Sequence, residues 1–159
     1  MKTLGGDDMK RKKILPPTFQ KVIMRTDPKI NEELKKQSLS TLTIYKNCKE
    51  PEITERINQL NQEWDTERVL EIHASLLILL SSYLGIKSSR FWFVLTGVVA
   101  AFMLQHALQG WCPALPLIRK YGVRTADEIY TELTALKILR GDFKGDCLSA
   151  EDAYAKAQK

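Results

Sequence analysis

Hydrophobic positions follow two different rules along this chain. Ile72 to Ile86 (IHASLLILLSSYLGI) and Phe91 to Ile118 (FWFVLTGVVAAFMLQHALQGWCPALPLI) contain no Lys, Arg, Asp or Glu, and only Lys87-Ser88-Ser89-Arg90 divides them. Elsewhere apolar residues recur singly, at helical spacing, among charges. Two uncharged runs joined by a short basic turn predict an antiparallel helical hairpin with lipid as its solvent, because a helix satisfies its own backbone there. Val69 to Ile86 would reach about 27 Å at the helical rise, against a hydrocarbon core of about 30 Å. His73, Ser75, Ser81 and Ser82 weaken this first run. Leu76, Leu77, Ile78, Leu79 and Leu80 form its apolar centre, each favouring insertion by roughly 0.5 kcal/mol or less.

The second run is more apolar. Trp92 and Trp111 would lie about 28 Å apart on one helix, at the two depths where indole rings anchor at a membrane interface. Gln105, His106 and Gln109 make its last turns polar, Gly110 offers a stop, and Pro113 and Pro116 oppose simple continuation. The soluble alternative, a hairpin buried inside a bundle, requires flanking helices with enough apolar surface to enclose both runs, and their stripes are narrow.

The flanks predict amphipathic helices. Asp27-Pro28 is an N-cap followed by proline in a first turn, and Ile30, Leu34, Leu42 and Tyr45 mark a loosely amphipathic helix to about Asn47. Pro51-Glu52 opens a second, whose Ile53, Ile57, Leu60 and Trp64 share one face. That face is expected to pack on another helix, the alternative being the bilayer interface. This helix is expected to run on through Glu67, Arg68 and Glu71 into the first apolar run. Thr125-Ala126-Asp127-Glu128 is a capping box opening a helix with Ile129, Leu133 and Leu136 inward and Gly141 as its stop. The expected organisation is therefore a flexible basic tail (1–27), cytoplasmic helices (28–68), a transmembrane hairpin (69–118), a capped cytoplasmic helix (119–143) and a polar tail (144–159). In that tail Ser149 to Asp152 could begin a short helix. The fold class is all-α.

Composition changes this picture little. The mean hydropathy of −0.24 averages polar flanks with an oily middle and so conceals the hairpin. The net charge of +5 is spread out. The one dense basic run, Lys10-Arg11-Lys12-Lys13, reads as a solvated tail, or as a contact with anionic headgroups worth about 1 kcal/mol per residue. It has no aromatic platform or motif for nucleic acid, so no nucleic-acid partner is expected. The first 20 residues lack an h-region, so no cleaved signal is expected. Arg56, Arg68, Arg119, Lys120 and Arg124 flank the hairpin ends, against Lys87 and Arg90 in its turn. By the positive-inside rule both termini are cytoplasmic.

Three separated cysteines, Cys48, Cys112 and Cys147, argue against a disulfide framework. Cys112, in Gly110-Trp111-Cys112-Pro113 at the membrane boundary, is the one thiol candidate for redox, persulfide or metal chemistry. Arg119 and Lys120 nearby would favour its thiolate. The bland reading is a small residue in a helix-exit turn. His106 and His73 invite a metal or haem site, but both lie toward one interface, where water reaches them. Cys48, His106, Cys112 and Cys147 form no zinc spacing, and no metal or cofactor is expected. Gly97 with Ala101, and Ser81 with Gly85, are small-xxx-small pairs that permit close helix approach within the hairpin, between two copies, or both. Arg140-Gly141-Asp142 reads as a helix end. Phosphate loops, hydrolase triads and HExxH are all missing.

These residues carry a resemblance. EWDTERVLE from Glu63, LQHALQGWCPALPLIRKYGVRTADEI from Leu104 and the stretch from Ala135 to Phe143 resemble the YgaP-like transmembrane domain family of bacterial inner-membrane proteins. INEELKKQ at Ile30–Gln37 is similar to longer members. The likeness spans roughly residues 30–143, and QHALQGWCPALP is its most specific block. It implies a two-helix membrane hairpin in the bacterial inner membrane, joined in some members to a rhodanese sulfurtransferase domain and dimeric. The sequence has no rhodanese-like active-site loop, so that activity does not carry over. The resulting expectation is a non-enzymatic membrane anchor and interaction module, in the bilayer as a homodimer, with an unidentified cytoplasmic protein partner. The alternative is a thiol redox or sulfur-relay protein using Cys112. Cys48 and Cys112 are both expected to react from the cytoplasmic side.

Overall fold

The computed structural model of the chain describes residues 15–143 and Tyr154. The basic run Lys10–Lys13, Cys147 and the start of a helix at Ser149–Asp152 lie outside the described residues. Among the described residues the chain is all-helical: α1 (Pro28–Tyr45), α2 (Glu50–Gln62), α3 (Thr66–Lys87), α4 (Trp92–Gln109), α5 (Leu115–Lys120) and α6 (Ala126–Arg140), with a single 3-10 turn at Ile23–Arg25 before them.

The caps fall where the sequence puts them. Asp27 accepts from the Lys29 amide at the start of α1. Thr125 and Glu128 close a reciprocal capping box on α6, and Gly141 ends that helix at φ 92°. Arg140 reaches past this stop to chelate Asp142 and to donate to Thr54 of α2, so Arg140-Gly141-Asp142 is a helix end. One boundary differs from expectation. α2 does not run on into the first apolar run: Glu63 turns extended, and Asp65 recaps the chain by accepting from the Arg68 amide. An aspartate three residues before an amide is a better start signal than the helical spacing across it. Trp64 therefore sits exposed in the break rather than on the apolar face of α2.

Helices α3 and α4 form the hairpin, with Ser88–Phe91 between them. At the helical rise they span about 33 and 27 Å, and both are long and apolar enough to cross a membrane. Of their most apolar windows only 17% and 6% of residues are buried. The flanking helices do not enclose them, which removes the soluble bundle. Ser81, which weakens the first run on a hydropathy scale, faces the partner helix. Its hydroxyl is 2.7 Å from Thr96 Oγ1 and donates to the Leu77 carbonyl at 2.7 Å. Such interhelical bonds are worth about 0.6 kcal/mol each in a membrane protein.

The other helices gather at one end of the hairpin. Ile53, Ile57 and Leu60 of α2 pack with Ile129, Leu133 and Leu136 of α6, flanked by Leu42, Tyr45 and Cys48. Helix pairing thus covers the α2 stripe. A second cluster joins Val22, Leu70, Cys112 and Leu115. Part of the lead-in expected to be flexible is therefore docked: Val22 is buried on the hairpin base, and a Cβ at Gly110 (φ +74°) would meet the Lys21 backbone at 2.4 Å.

Candidate functional site

Everything chemically unusual lies at the hairpin base. Arg119 has 0% exposure. Its guanidinium donates twice to the Glu128 carboxylate at 2.7 Å, to Asn31 Oδ1 and the Val123 carbonyl at 2.9 Å, and to Thr26 Oγ1 at 3.2 Å. Five donors in a rigid fork suit this junction of four segments. Arg124, also buried, chelates Glu63 and donates to Glu132 and to Ser38. Arg56 donates to the other side of Glu132. Thr66, at the start of α3, binds the Arg124 carbonyl through its amide at 2.8 Å and its hydroxyl at 2.9 Å. Burial alone would raise the Glu128 and Glu132 carboxyl pKa values; their ion pairs outweigh it and hold both below the ordinary carboxylate value.

This network was not visible in the sequence, where Arg119 and Arg124 counted as topology charges and Arg119 also as a cation near the Cys112 thiol. The signal was present but diluted: Arg119 precedes the capping-box glutamate by nine residues, across a turn whose geometry the sequence does not state.

Beside the network lies Cys112. Rather than standing open to water, it is 4% exposed, covered by Val22 and Leu115. Arg119 is committed to Glu128 and does not serve the thiol. The group that does is His106, on the last turns of α4. His106 is 2% exposed rather than hydrated, with Nε2 2.8 Å from Glu67 Oε2. A carboxylate only accepts, so Nε2 carries the proton there. Lys21 pairs with the same carboxylate at 3.3 Å and reaches the Ala107 carbonyl at 3.5 Å. The other ring nitrogen, His106 Nδ1, is buried without a hydrogen-bond partner, and besides Glu67 the ring interacts with the Cys112 side chain. Past the end of the second span, the Cys112 thiol is held below its ordinary value. Burial pushes it up, but the imidazole and the Leu115 and Ala114 amides favour the thiolate more strongly.

The remaining candidates separate. His73 is exposed and bonded to the Val69 carbonyl at 2.7 Å, with no bond to Glu67 or His106 given by the structure. No three His, Cys, Asp or Glu among the described residues converge to hold a metal ion. Cys48 is half-buried beside the α2–α6 core, its thiol held up by burial and by Glu52. The two small-residue pairs divide as well. Ser81 and Gly85 are buried against α4, where a Cβ on Gly85 would touch the Phe93 ring at 2.9 Å. Gly97 and Ala101 point outward, and a Cβ on Gly97 would meet nothing within 4 Å. Trp92 is exposed and Trp111 half-buried, one at each end of α4.

Neither the curated proteins nor the solved structures give a match to this chain. A family model does, over a stretch that starts at the Asp65 cap and ends in the first turn of α6. It takes in Glu67, His106 and Cys112, and leaves out the INEELKKQ segment and the stretch after Ala135. That model is the inner membrane protein YgaP-like transmembrane domain, matched at residues 65–127, and over those residues this membrane protein carries a YgaP-like transmembrane domain.

Proposed function

We propose that the chain is a non-enzymatic anchor and interaction module of the inner membrane, self-associating through its hairpin and presenting its flanking helices to a protein partner in the cytoplasm. The observation that carries this is the Arg119–Arg124 network. It fixes α1, α2 and α6 to the hairpin base as one body, an arrangement suited to presenting a surface and not to turning over a substrate. That body offers an apolar groove of about 340 Å³ between α1 and α6, with Leu39, Ile138 and Leu139 in its walls, a shape that suits an amphipathic helix. The outward Gly97–Ala101 face leaves α4 free for close approach of a second copy. Five basic residues near the hairpin ends against two in its turn favour a cytoplasmic platform.

Cross-linking tests the first part. Gly97→Cys and Ala101→Cys in native membranes should form disulfide dimers, whereas a cysteine on the opposite side of α4 should not. Equal cross-linking all round the helix refutes a specific seam. Cys48 should react with a membrane-impermeant maleimide only in inside-out vesicles.

One observation favours a second reading, the sulfur relay: the buried imidazole of His106, whose Nδ1 has no hydrogen-bond partner, interacts with the Cys112 thiol. In that chemistry the thiolate attacks a persulfide's outer sulfur, an S–S bond forms, and the donor departs as a thiolate. Persulfide trapping that labels wild type and Cys112→Ser equally removes it.

A further inference from the structure

A cavity of about 660 Å³ lies between α3, α4 and the α5 region, and Cys112 stands in its wall. Leu70, Ala74, Leu77, Val98 and Phe102 make most of the remainder apolar. The volume falls within the range of roughly 300–1,000 Å³ typical of small-ligand sites. The lining runs from Val69 to Leu77 on α3, a depth of about 12 Å at the helical rise. So apolar a slot gives water few partners. Set against two membrane-spanning helices, it is filled most readily by a hydrocarbon chain entering from the boundary end. Cys112 and the exposed His73 are in the lining itself; outside the lining, His106 interacts with Cys112, its Nδ1 buried without a hydrogen-bond partner and its Nε2 on the Glu67 carboxylate. Thiol, imidazole and carboxylate are the residue types of a nucleophile, its base and the group that orients the base. Cys48 packs against the other core, so no second described thiol is at hand for disulfide chemistry.

We propose that Cys112 is an acyl acceptor: it takes a long-chain acyl group from an acyl thioester, and the cavity houses the chain. The Cys112 thiol gives its proton to His106 Nδ1 while its sulfur attacks the thioester carbonyl carbon. A new C–S bond forms, the donor's C–S bond breaks, and the departing thiolate leaves with the proton from His106. Nothing is oxidised or reduced. Glu67 is a positioning residue that holds the proton on Nε2 and so keeps Nδ1 turned to the thiol. The inference shares with the sulfur-relay reading only the premise that Cys112 reacts, and it stands whether or not the hairpin dimerises.

The test uses the full chain in lipid nanodiscs, incubated with acetyl, octanoyl and palmitoyl thioesters and followed by intact mass and peptide mapping. The expected result is one hydroxylamine-labile adduct, on Cys112 and not on Cys48 or Cys147, formed faster from octanoyl and palmitoyl than from acetyl donors. Cys112→Ser abolishes it. His106→Gln slows it about 100-fold or more, the lower bound for a positioned base. Glu67→Gln moves the pH–rate profile as well as the rate; an unmoved profile with a lower rate takes Glu67 out of the mechanism. Ala74→Phe, which fills the cavity, slows palmitoyl transfer at least tenfold and spares acetyl transfer. This arm remains informative should the His106 variant fail to fold. Equal labelling of the three cysteines, equal rates for all chain lengths, or no adduct overturns the proposal. A persulfide on Cys112 in cells without acyl labelling supports the relay reading and refutes this one.

Discussion

Removing the Arg119 charge while keeping its bulk should detach the flanking helices from the hairpin. Arg119→Met leaves the Glu128 carboxylate without its cation, bonded only to the Thr125 amide, and strips a donor each from Asn31, Thr26 and the Val123 carbonyl. Hydrogen bonds to a charged group are worth about 1.5–3 kcal/mol each, and five of them summed would overshoot, because the substitution also removes the guanidinium's own desolvation penalty. Breaking a buried pair from one side costs about 3–5 kcal/mol. Here the surviving carboxylate is 18% exposed and reachable by water, which places the cost near the lower end, about 3 kcal/mol. Arg119→Lys keeps the charge but has three donors on one atom, so it should fall between wild type and Met.

The loss is one of docking, since lipid still holds α3 and α4. The fitting assay is amide hydrogen exchange of α6 in nanodiscs, which reads sub-global opening directly. At about 1.4 kcal/mol per decade, Arg119→Met should speed exchange in α6 roughly 100-fold and leave the centre of α4 unchanged. Exchange in α6 within about threefold of wild type, below roughly 0.7 kcal/mol, refutes the idea that this cation joins platform to hairpin. So does equal acceleration in α4.

The same pairs make docking acid-sensitive. Glu128 and Glu132 are both held below the ordinary value of 4.5. Their contribution is complete above that value and is lost as pH falls through the lower folded values, so α6 protection should be flat from neutral pH to about 5 and then decline; a decline starting near pH 7 contradicts the assignment. Gly110→Ala places a side chain at φ +74° and against the Lys21 backbone. It should cost at least about 1–2 kcal/mol from backbone strain alone and hasten tryptic cleavage at Lys21 and Arg25. In the hairpin, Gly85→Leu should push α3 from α4 at a cost of about 1–3 kcal/mol. Gly97→Leu should leave the monomer's stability alone and reduce cross-linking, and the reverse pattern would exchange the roles of the two small-residue pairs.

Features set by local chemistry could be read from the chain. The Thr125–Glu128 box, the Gly141 stop, the hairpin turn and the Ile53–Ile57–Leu60 stripe each depend on residues within a few positions of one another. The α2–α3 break shows the limit of periodicity: apolar spacing continues smoothly across Glu63–Asp65, and only the aspartate's competing bond to the Arg68 amide stops the helix. Long-range partners were out of reach. Nothing local to Arg119 says that its carboxylate is on α6, or that Thr26 and Asn31 from the lead-in and α1 will fold over it.

The thiol site was hidden for a related reason. His106 and Cys112 were each visible, but the third member, Glu67, lies 39 residues earlier on the other hairpin helix. On hydropathy alone a glutamate and a histidine at the ends of two spans read as places where the helix leaves the membrane. Folding an antiparallel hairpin brings those two ends to the same depth, and the α5 turn then lowers Cys112 onto them. Polar residues that look like the fading edge of two membrane helices become, once the helices pair, a buried polar group near an apolar cavity. Ser81 and Thr96 follow the same rule further along the hairpin: each weakens its own helix as an isolated span, and each hydroxyl meets the other across the helix pair. In this hairpin, then, His106, Glu67 and Ser81 depress the hydropathy profile and yet mark where the two helices meet, whereas His73 and Ser75 depress it and stay exposed.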